Sequence, residues 1–249
     1  PRRISSPPSP MPSASVLPSS RESRASRPLP KTLLDLASRP RSRAIRRAVS
    51  QWEWRDGEGA VRWLVGGPTR GLSSWARSVT RDLSQARKLD IFMAYFSPPY
   101  TLLRRIARVA KTGRARLLMA AKSDNGATLG ATRSLYRYLL KRKARIWEFS
   151  PCKLHTKLLV LDDAVYLGSA NFDMRSLYLN LEIMLRIEDA ALAERMREFI
   201  AHQIAASEEI TPALHAQRST LFNRIRWGAG WVLVSVLDYT VTRRLNLGI

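Results

Sequence analysis

The sequence predicts an α/β protein in which helices cover both faces of one sheet. Short apolar runs that are typical of buried strands alternate with longer runs that have helical apolar spacing. Apolar residues make up 45% of the 249 residues, as expected of a globular domain. A chain of this length buries one large core and leaves room for additional segments at its ends.

Within residues 59–209, each predicted element follows from a local pattern. Apolar residues at helical spacing, as at Trp75, Val79 and Leu83, predict a helix, and Gly113 ends the next one. Apolar runs rich in β-branched or aromatic residues predict strands, and the Ser-Pro-Pro at 97–99 ends one of them. The predicted strands are 61–65, 90–96, 116–120, 144–149, 158–161, 165–167 and 182–187. The predicted helices are 72–86, 102–110, 127–143 and 189–206.

Residues 1–58 are predicted to form a disordered or basic linker. Residues 1 to about 30 are mostly Pro, Ser and Arg, and so little apolar surface does not offset the entropy lost on ordering. The chain begins at Pro1 rather than at a methionine. We therefore expect its start to be truncated or artefactual.

Residues 210–249 form a C-terminal segment of different character. The stretch 227–237 is nearly all apolar, yet it is shorter than the roughly 20 residues that span a bilayer. Arg224 and Arg226 precede it, and Arg243 and Arg244 follow it. Apolar and basic residues in this order predict a segment that lies in a membrane interface. The alternative is a terminal helix packed on the core.

The charge balance predicts an anionic partner. Lys and Arg number 42 against 20 Asp and Glu, for a formal net charge of +22. An anionic phospholipid surface and a nucleic acid both fit such a charge, and so does a generally basic proteome.

The few cysteines and histidines exclude other chemistry. A single cysteine, Cys152, excludes an intrachain disulfide framework and a cysteine zinc cluster. Cys152 precedes an apolar run, so we expect it to be a small buried hydrophobe. Three scattered histidines do not form a ligand set, so we expect no metal and no cofactor.

A candidate phosphate site begins at His155 and Lys157. These residues are two apart at the entry to the predicted strand 158–161, so both side chains point to one face. A buried pair of positive groups is unfavourable in a core, whereas an imidazole and an ammonium suit a phosphoryl group. Ser169 and Asn171, again two apart, follow the next strand and can donate to phosphoryl oxygens. Glu182 opens a further strand and is a candidate to orient the histidine.

These residues resemble the HKD signature of the phospholipase D superfamily. The pattern is His155-x-Lys157, four residues to Asp162, and then Gly168-Ser169-x-Asn171. The gap from Asp162 to Gly168 is one residue shorter than usual, and a tight turn at Asp162-Asp163 would absorb it. The run 171–182 and the landmarks at 94–98 and 122–124 are similar to the C-terminal half of bacterial cardiolipin synthases.

The resemblance implies a phospholipase D-like mixed sheet flanked by helices, forming one HKD half-unit over residues 59–209. It implies that His155 acts as nucleophile or acid in a reaction through a phosphohistidine, without metal. Lys157, Ser169 and Asn171 would bind the phosphate, and Glu182 would hold the His155 ring. Asp162 belongs to the catalytic motif, where the resemblance favours a structural role over that of a proton carrier.

The resemblance also requires a second histidine that this chain does not supply, because His202 and His215 lack the motif around them. Either a homodimer or a missing N-terminal HKD half would complete the site. The expected function is phosphodiester hydrolysis or transphosphatidylation on phospholipids, as in a cardiolipin synthase or phospholipase D. We expect a peripheral location at the cytoplasmic face of a bacterial inner membrane. The alternatives are a metal-independent dimeric HKD nuclease and an inactive half-enzyme that only binds anionic lipid.

Overall fold

The computed structural model describes residues 59–67, 72–238 and 240. The predicted linker over 1–58 lies outside these residues, as do Arg243 and Arg244 of the predicted interfacial segment. None of the helices in the described part of the chain combines the length and the apolar character that spanning a bilayer requires.

An eight-stranded mixed sheet organises the fold, with strand order β1–β9–β7–β6–β2–β4–β5–β10. Strands β2, β4 and β5 run parallel to one another, and the remaining neighbours in this sheet are antiparallel. A second, two-stranded sheet pairs β3 with β8. The strands are β1 (Val61–Gly66), β2 (Lys88–Met93), β3 (Phe96–Ser97), β4 (Arg114–Ala120), β5 (Arg145–Phe149), β6 (Lys157–Leu161), β7 (Ala164–Gly168), β8 (Phe172–Asp173), β9 (Glu182–Glu188) and β10 (Ser207–Glu209).

Helices connect the strands, and several begin at a side chain that caps the first free amides. Ser73, Asn125 and Asp189 each accept hydrogen bonds from backbone N–H groups of the helix that follows. The helices are α1 (Ser74–Gln85), α2 (Tyr100–Thr112), α3 (Gly126–Leu140), α4 (Met174–Tyr178), α5 (Ala190–Ala205), α6 (Pro212–Arg218) and α7 (Leu221–Val232), which continues as a π-helix over Leu233–Asp238.

Two apolar cores lie on opposite faces of the sheet. On one face the buried side chains come from α1, α2 and α3, among them Trp75, Ile106 and Tyr136. On the other face α5 contributes Ala193 and Ile200. Alternate residues of β6 point into the two cores, so that strand is buried from end to end. The prediction of helices on both faces of one sheet is confirmed.

A two-residue turn joins β6 to β7 and absorbs the short gap in the motif. Leu161 pairs with Ala164, so only Asp162 and Asp163 lie in the turn. Asp162 has a φ of 46°, a left-handed conformation that Asp tolerates better than most residues. Its carboxylate accepts the backbone N–H groups of Arg87 at 3.1 Å and Lys88 at 2.8 Å. These bonds distinguish Asp162 from its exposed neighbour Asp163.

Buried acid–arginine clusters tie the sheet to its flanking helices. Asp90 in the middle of β2 is fully buried and forms ion pairs with Arg114 at 3.1 Å, Arg197 at 3.3 Å and Arg116. Arg197 comes from α5 and also donates to the Asp162 carbonyl oxygen, so it links the helix to the β6–β7 turn. Because all three arginines converge on one carboxylate, its charge is compensated within the protein.

The structure corrects two sequence-based expectations and adds one strand that was not expected. The predicted strand 90–96 is interrupted, because β2 ends at Met93 and Phe96 begins the separate pairing with β8. The polar strand β10, which pairs with β5 at the sheet edge, was not predicted, because its Ser-Glu-Glu sequence carries no strand pattern. Cys152 is exposed rather than buried, because it lies in the bend before β6 and not within the apolar run.

Candidate active site

His155 and Lys157 lie at the start of β6, as predicted. His155 is exposed, and among the described residues its imidazole makes no hydrogen bond. Lys157 is only 8% exposed, and its Nζ donates to the His155 carbonyl oxygen at 2.9 Å. Burial lowers the pKa of Lys157, and the negative charges of Glu182 and Asp173 oppose that shift. A buried ammonium therefore contacts the backbone of the residue that carries the exposed imidazole, and the charges of two carboxylates act on it.

Ser169 and Asn171 come to the same place because β7 returns antiparallel to β6. Leu167 pairs with Leu158, so the end of β7 lies beside the start of β6. Gly168 permits the close approach of β9, because a Cβ there would lie 2.2 Å from the Ile183 carbonyl oxygen. Asn171 Oδ1 is buried without a hydrogen-bond partner among the described residues. Buried polar atoms are normally paired, so this oxygen, or the amide group after a flip, is available to a ligand.

Glu182 is the common acceptor of three side-chain hydrogen bonds in the site. Its carboxylate accepts from Ser169 Oγ at 2.5 Å, from Ser176 Oγ at 3.2 Å and from Asn180 Nδ2 at 3.3 Å. Its partners therefore include Ser169 but not the His155 ring. The predicted role of Glu182 in holding that ring stays a prediction, as do the roles assigned to the other site residues.

A cavity of about 540 Å³ opens beside these residues. Asn171, Asp173 and Asn180 line it, and Leu233 and Val234 of the π-helix form part of its wall. Burial raises the pKa of Asp173, and the charge of Glu182 adds to that effect. Asp173 was not among the predicted site residues. The signal that could have found it is the spacing of two that runs from Ser169 through Asn171 to Asp173.

The structure does not bring Asp162 to this place. β6 has five residues, which corresponds to about 16 Å, and Asp162 follows its last residue while His155 precedes its first. His202 and His215 do not join the site either. His202 is exposed on α5, and His215 stacks on Trp227. Within the described residues, no group of three or more His, Cys, Asp or Glu is placed to hold a metal ion.

Comparison with known protein families identifies a match over about half of the chain. The family described as "Cardiolipin synthase, PLD-like domain" matches residues 79–204. The relatives include cardiolipin synthase 2 of Bacillus cereus, 30% identical over 61% of this chain and 30% of that protein. Cardiolipin synthase B of Escherichia coli is 34% identical over 52% of this chain and 32% of that protein. The chain thus spans about a third of the length of these curated relatives.

Solved structures share the fold. The phospholipase D family member Nuc of Salmonella typhimurium matches with a TM-score of 0.52 at 18% identity, over 61% of this chain and 99% of that one. The phosphatidylserine synthase of Haemophilus influenzae also matches with a TM-score of 0.52, at 17% identity, over 76% of this chain and 48% of that one. Both likenesses agree with the mixed sheet flanked by helices.

Proposed function

Because the chain belongs to the phospholipase D-like family of cardiolipin synthases, we propose that it supplies one half of a site for phosphodiester exchange on phospholipids. The observation that carries the proposal is the start of β6, where an exposed imidazole stands beside a buried ammonium and two hydrogen-bonding side chains. The proposed setting is the cytoplasmic surface of a bacterial inner membrane, to which the protein binds peripherally.

His155 is the proposed nucleophile. Its ring makes no hydrogen bond to another described residue, so a nitrogen lone pair is free to attack phosphorus. The new N–P bond replaces the P–O bond of the leaving alcohol, whose oxygen takes a proton from a second acid. Water or another alcohol then attacks phosphorus, gives its proton to the conjugate base of that acid, and breaks the N–P bond. Water gives hydrolysis, and an alcohol gives transphosphatidylation.

Lys157, Ser169 and Asn171 are the proposed phosphate ligands. A buried ammonium acts more strongly on a bound phosphate than an exposed one, because less water screens its charge. Ser169 donates to Glu182 in this structure, so binding a phosphoryl oxygen would require its hydroxyl to turn. Asn171 would donate from its amide nitrogen after a flip of the amide group, which would turn Nδ2 to the place where Oδ1 now lacks a partner among the described residues. These groups stabilise the charge that develops on the phosphoryl oxygens.

The second acid must come from another motif-bearing unit, either a second copy of the chain or an N-terminal half outside it. An exposed apolar patch beside the site supports this requirement. Val61, Trp63 and Ile183 share one face of the β1–β9 pair, and Leu181 lies next to Glu182. All four side chains are more than half exposed. Apolar patches of this kind mark interaction sites in soluble proteins.

The test is incubation with phosphatidylglycerol liposomes in EDTA, with products identified by lipid mass spectrometry. Wild type and His155→Ala would be compared, with a parallel arm of single-stranded DNA. Phosphatidic acid or cardiolipin from wild type alone would support a lipid phosphodiesterase. DNA cleavage without lipid product would favour the nuclease alternative. No product from either protein would exclude completion of the site by a second copy of the chain.

The oligomeric state separates the two sources of the second histidine. If a second copy completes the site, wild type sediments as a dimer and Trp63→Glu sediments as a monomer without lipid activity. A monomeric and inactive wild type that gains activity on addition of an N-terminal half would assign the second histidine to that half.

A further inference from the structure

Helix α7 has one apolar face that packs on the core. Trp227 is 6% exposed and stacks on His215, while Gly230 faces α3. A Cβ on Gly230 would lie 2.7 Å from the Ala127 carbonyl oxygen, so the two helix backbones approach closely. The orientation of α7 about its own axis is therefore set by its contact with α3. The sequence-based alternative of a terminal helix packed on the core describes this face.

A second apolar face of the same helix is exposed. Leu221, Ile225 and Val232 recur at helical spacing, and all three are exposed. The large apolar side chains that α7 and the π-helix leave in solvent have exposed fractions between 38% and 73%. They are Leu221, Phe222, Ile225, Trp231, Val232, Leu233 and Val236. We call Leu221, Ile225 and Val232 the α7 stripe. A contiguous exposed apolar surface of this kind marks an interaction site.

Basic residues border the α7 stripe on both sides. Adjacent residues of an α-helix are about 100° apart around its axis. Arg224 and Arg226 precede and follow Ile225, so they flank the stripe from opposite sides, and both are exposed. The sequence 221–236 contains no Asp or Glu. An apolar surface with basic borders and no acidic group complements an anionic bilayer, where apolar chains lie beneath negative headgroups.

The stripe ends beside the candidate active site. Leu233 and Val234, which follow it directly, line the same cavity as Asn171 and Asp173. A lipid whose acyl chains remain in the bilayer at α7 would therefore have its phosphate close to Asn171, the one predicted phosphate ligand among the lining residues of this cavity.

We propose that the α7 stripe lies in the interface of an anionic bilayer and presents the cavity to the headgroups of that same bilayer. The presentation of the cavity to headgroups rests on the proposed phospholipid activity, whereas the contact of the stripe with the bilayer stands without it. The net positive charge of the chain attracts the protein to the anionic membrane surface. The stripe inserts into the interface and thereby orients the protein.

The test is co-sedimentation of the full chain with vesicles of phosphatidylglycerol and phosphatidylcholine. Leu221→Gln combined with Ile225→Gln is expected to weaken binding by about tenfold or more. Phe199→Gln is the matched control, because Phe199 is an exposed apolar residue on α5, on the opposite face of the sheet. It is expected to bind as wild type does. Arg224→Gln with Arg226→Gln is expected to reduce the preference for phosphatidylglycerol over pure phosphatidylcholine.

Circular dichroism shows whether each variant is folded before its binding is scored. Wild-type binding by the folded Leu221→Gln/Ile225→Gln variant would overturn the proposal, as would loss of a dimer in that variant with vesicle binding unchanged. His155→Ala separates the two proposals, because it is expected to bind vesicles normally without turning over lipid. If wild type binds through the stripe yet yields no lipid product, the interface stands and the phospholipid activity fails.

Discussion

Near the start of β6 two polar groups lack partners among the described residues, whereas near its far end two carboxylates are paired. The His155 ring and Asn171 Oδ1 have no hydrogen bond to a described residue. At the other end, the Asp162 carboxylate accepts two backbone amides, and the nearby Asp90 is paired with arginines. Paired groups contribute to folding, and unpaired ones are available to a ligand. The two ends of β6 thus differ in whether unpaired polar groups remain beside the strand.

The largest expected effect tests the unpaired end. His155→Gln should lower lipid turnover by about 10³-fold or more, because it removes the nucleophile while keeping a polar side chain. Its thermal unfolding midpoint should equal that of wild type, since His155 is exposed and makes no side-chain hydrogen bond to a described residue. His202→Gln, an exposed histidine on α5, is the control and should retain activity. Equal turnover by both variants would remove His155 from the mechanism.

The second prediction concerns the paired end. Asp90→Asn should lower the free energy of unfolding by about 3–5 kcal/mol, because it leaves buried arginines without their counter-charge. Glu209→Gln is the matched control, because its ion pair with Arg145 is solvent-exposed and is worth less than about 1 kcal/mol. Urea denaturation measures both values. Similar losses in the two variants would show that burial does not distinguish these ion pairs.

The third prediction tests whether Asp162, the aspartate of the motif, has a structural or a catalytic role. Asp162→Ala should lower the free energy of unfolding by about 1–3 kcal/mol, through the loss of its bonds to the amides of Arg87 and Lys88. Activity per folded molecule should be retained, because Asp162 lies far from His155. Asp163→Ala should change stability less, since that side chain is exposed. A large loss of turnover in folded Asp162→Ala would instead establish a catalytic contribution.

The smallest expected effect is the contribution of His215 to the pH dependence of stability. Burial lowers the pKa of His215, and the charge of Arg137 adds to this. The folded state therefore disfavours the proton, so the contribution is fully present above the ordinary pKa near 6.5 and is lost as pH falls below it. Urea midpoints of wild type should decrease between pH 7.5 and 5.5 by more than those of His215→Phe. Identical pH dependence in both proteins would show that His215 does not titrate with unfolding.

Most of the sheet could be predicted because its central strands are apolar runs bounded by Gly, Pro or charge. The predicted strands at β4, β5, β6 and β9 coincide closely with those observed. β10 was missed because an edge strand exposed to solvent does not need apolar residues. Cys152 was misplaced because its own local sequence does not reveal that the chain bends before β6.

The residues of the site were found from spacing, since a period of two places side chains on one face of an extended chain. That argument connects His155 with Lys157 and Ser169 with Asn171, but it does not tell which groups become partners. The bonds of Glu182 to Ser176 and Asn180, and the approach of Leu233 to the cavity, depend on packing between distant segments. Periodicity along one strand carries no information about such contacts.

The two-residue turn between β6 and β7 has a consequence for how the motif tolerates changes in length. Because Leu161 pairs with Ala164, the distances from His155 and from Ser169 to the turn are set by counting along the two strands. Adding one residue to β6 or to β7 would shift the alternation of that strand by one position. The polar side chains at its end would then point to the opposite face of the sheet. Natural variation in length is therefore expected to fall within the turn itself, where it leaves the alternation of side chains in β6 and β7 unchanged.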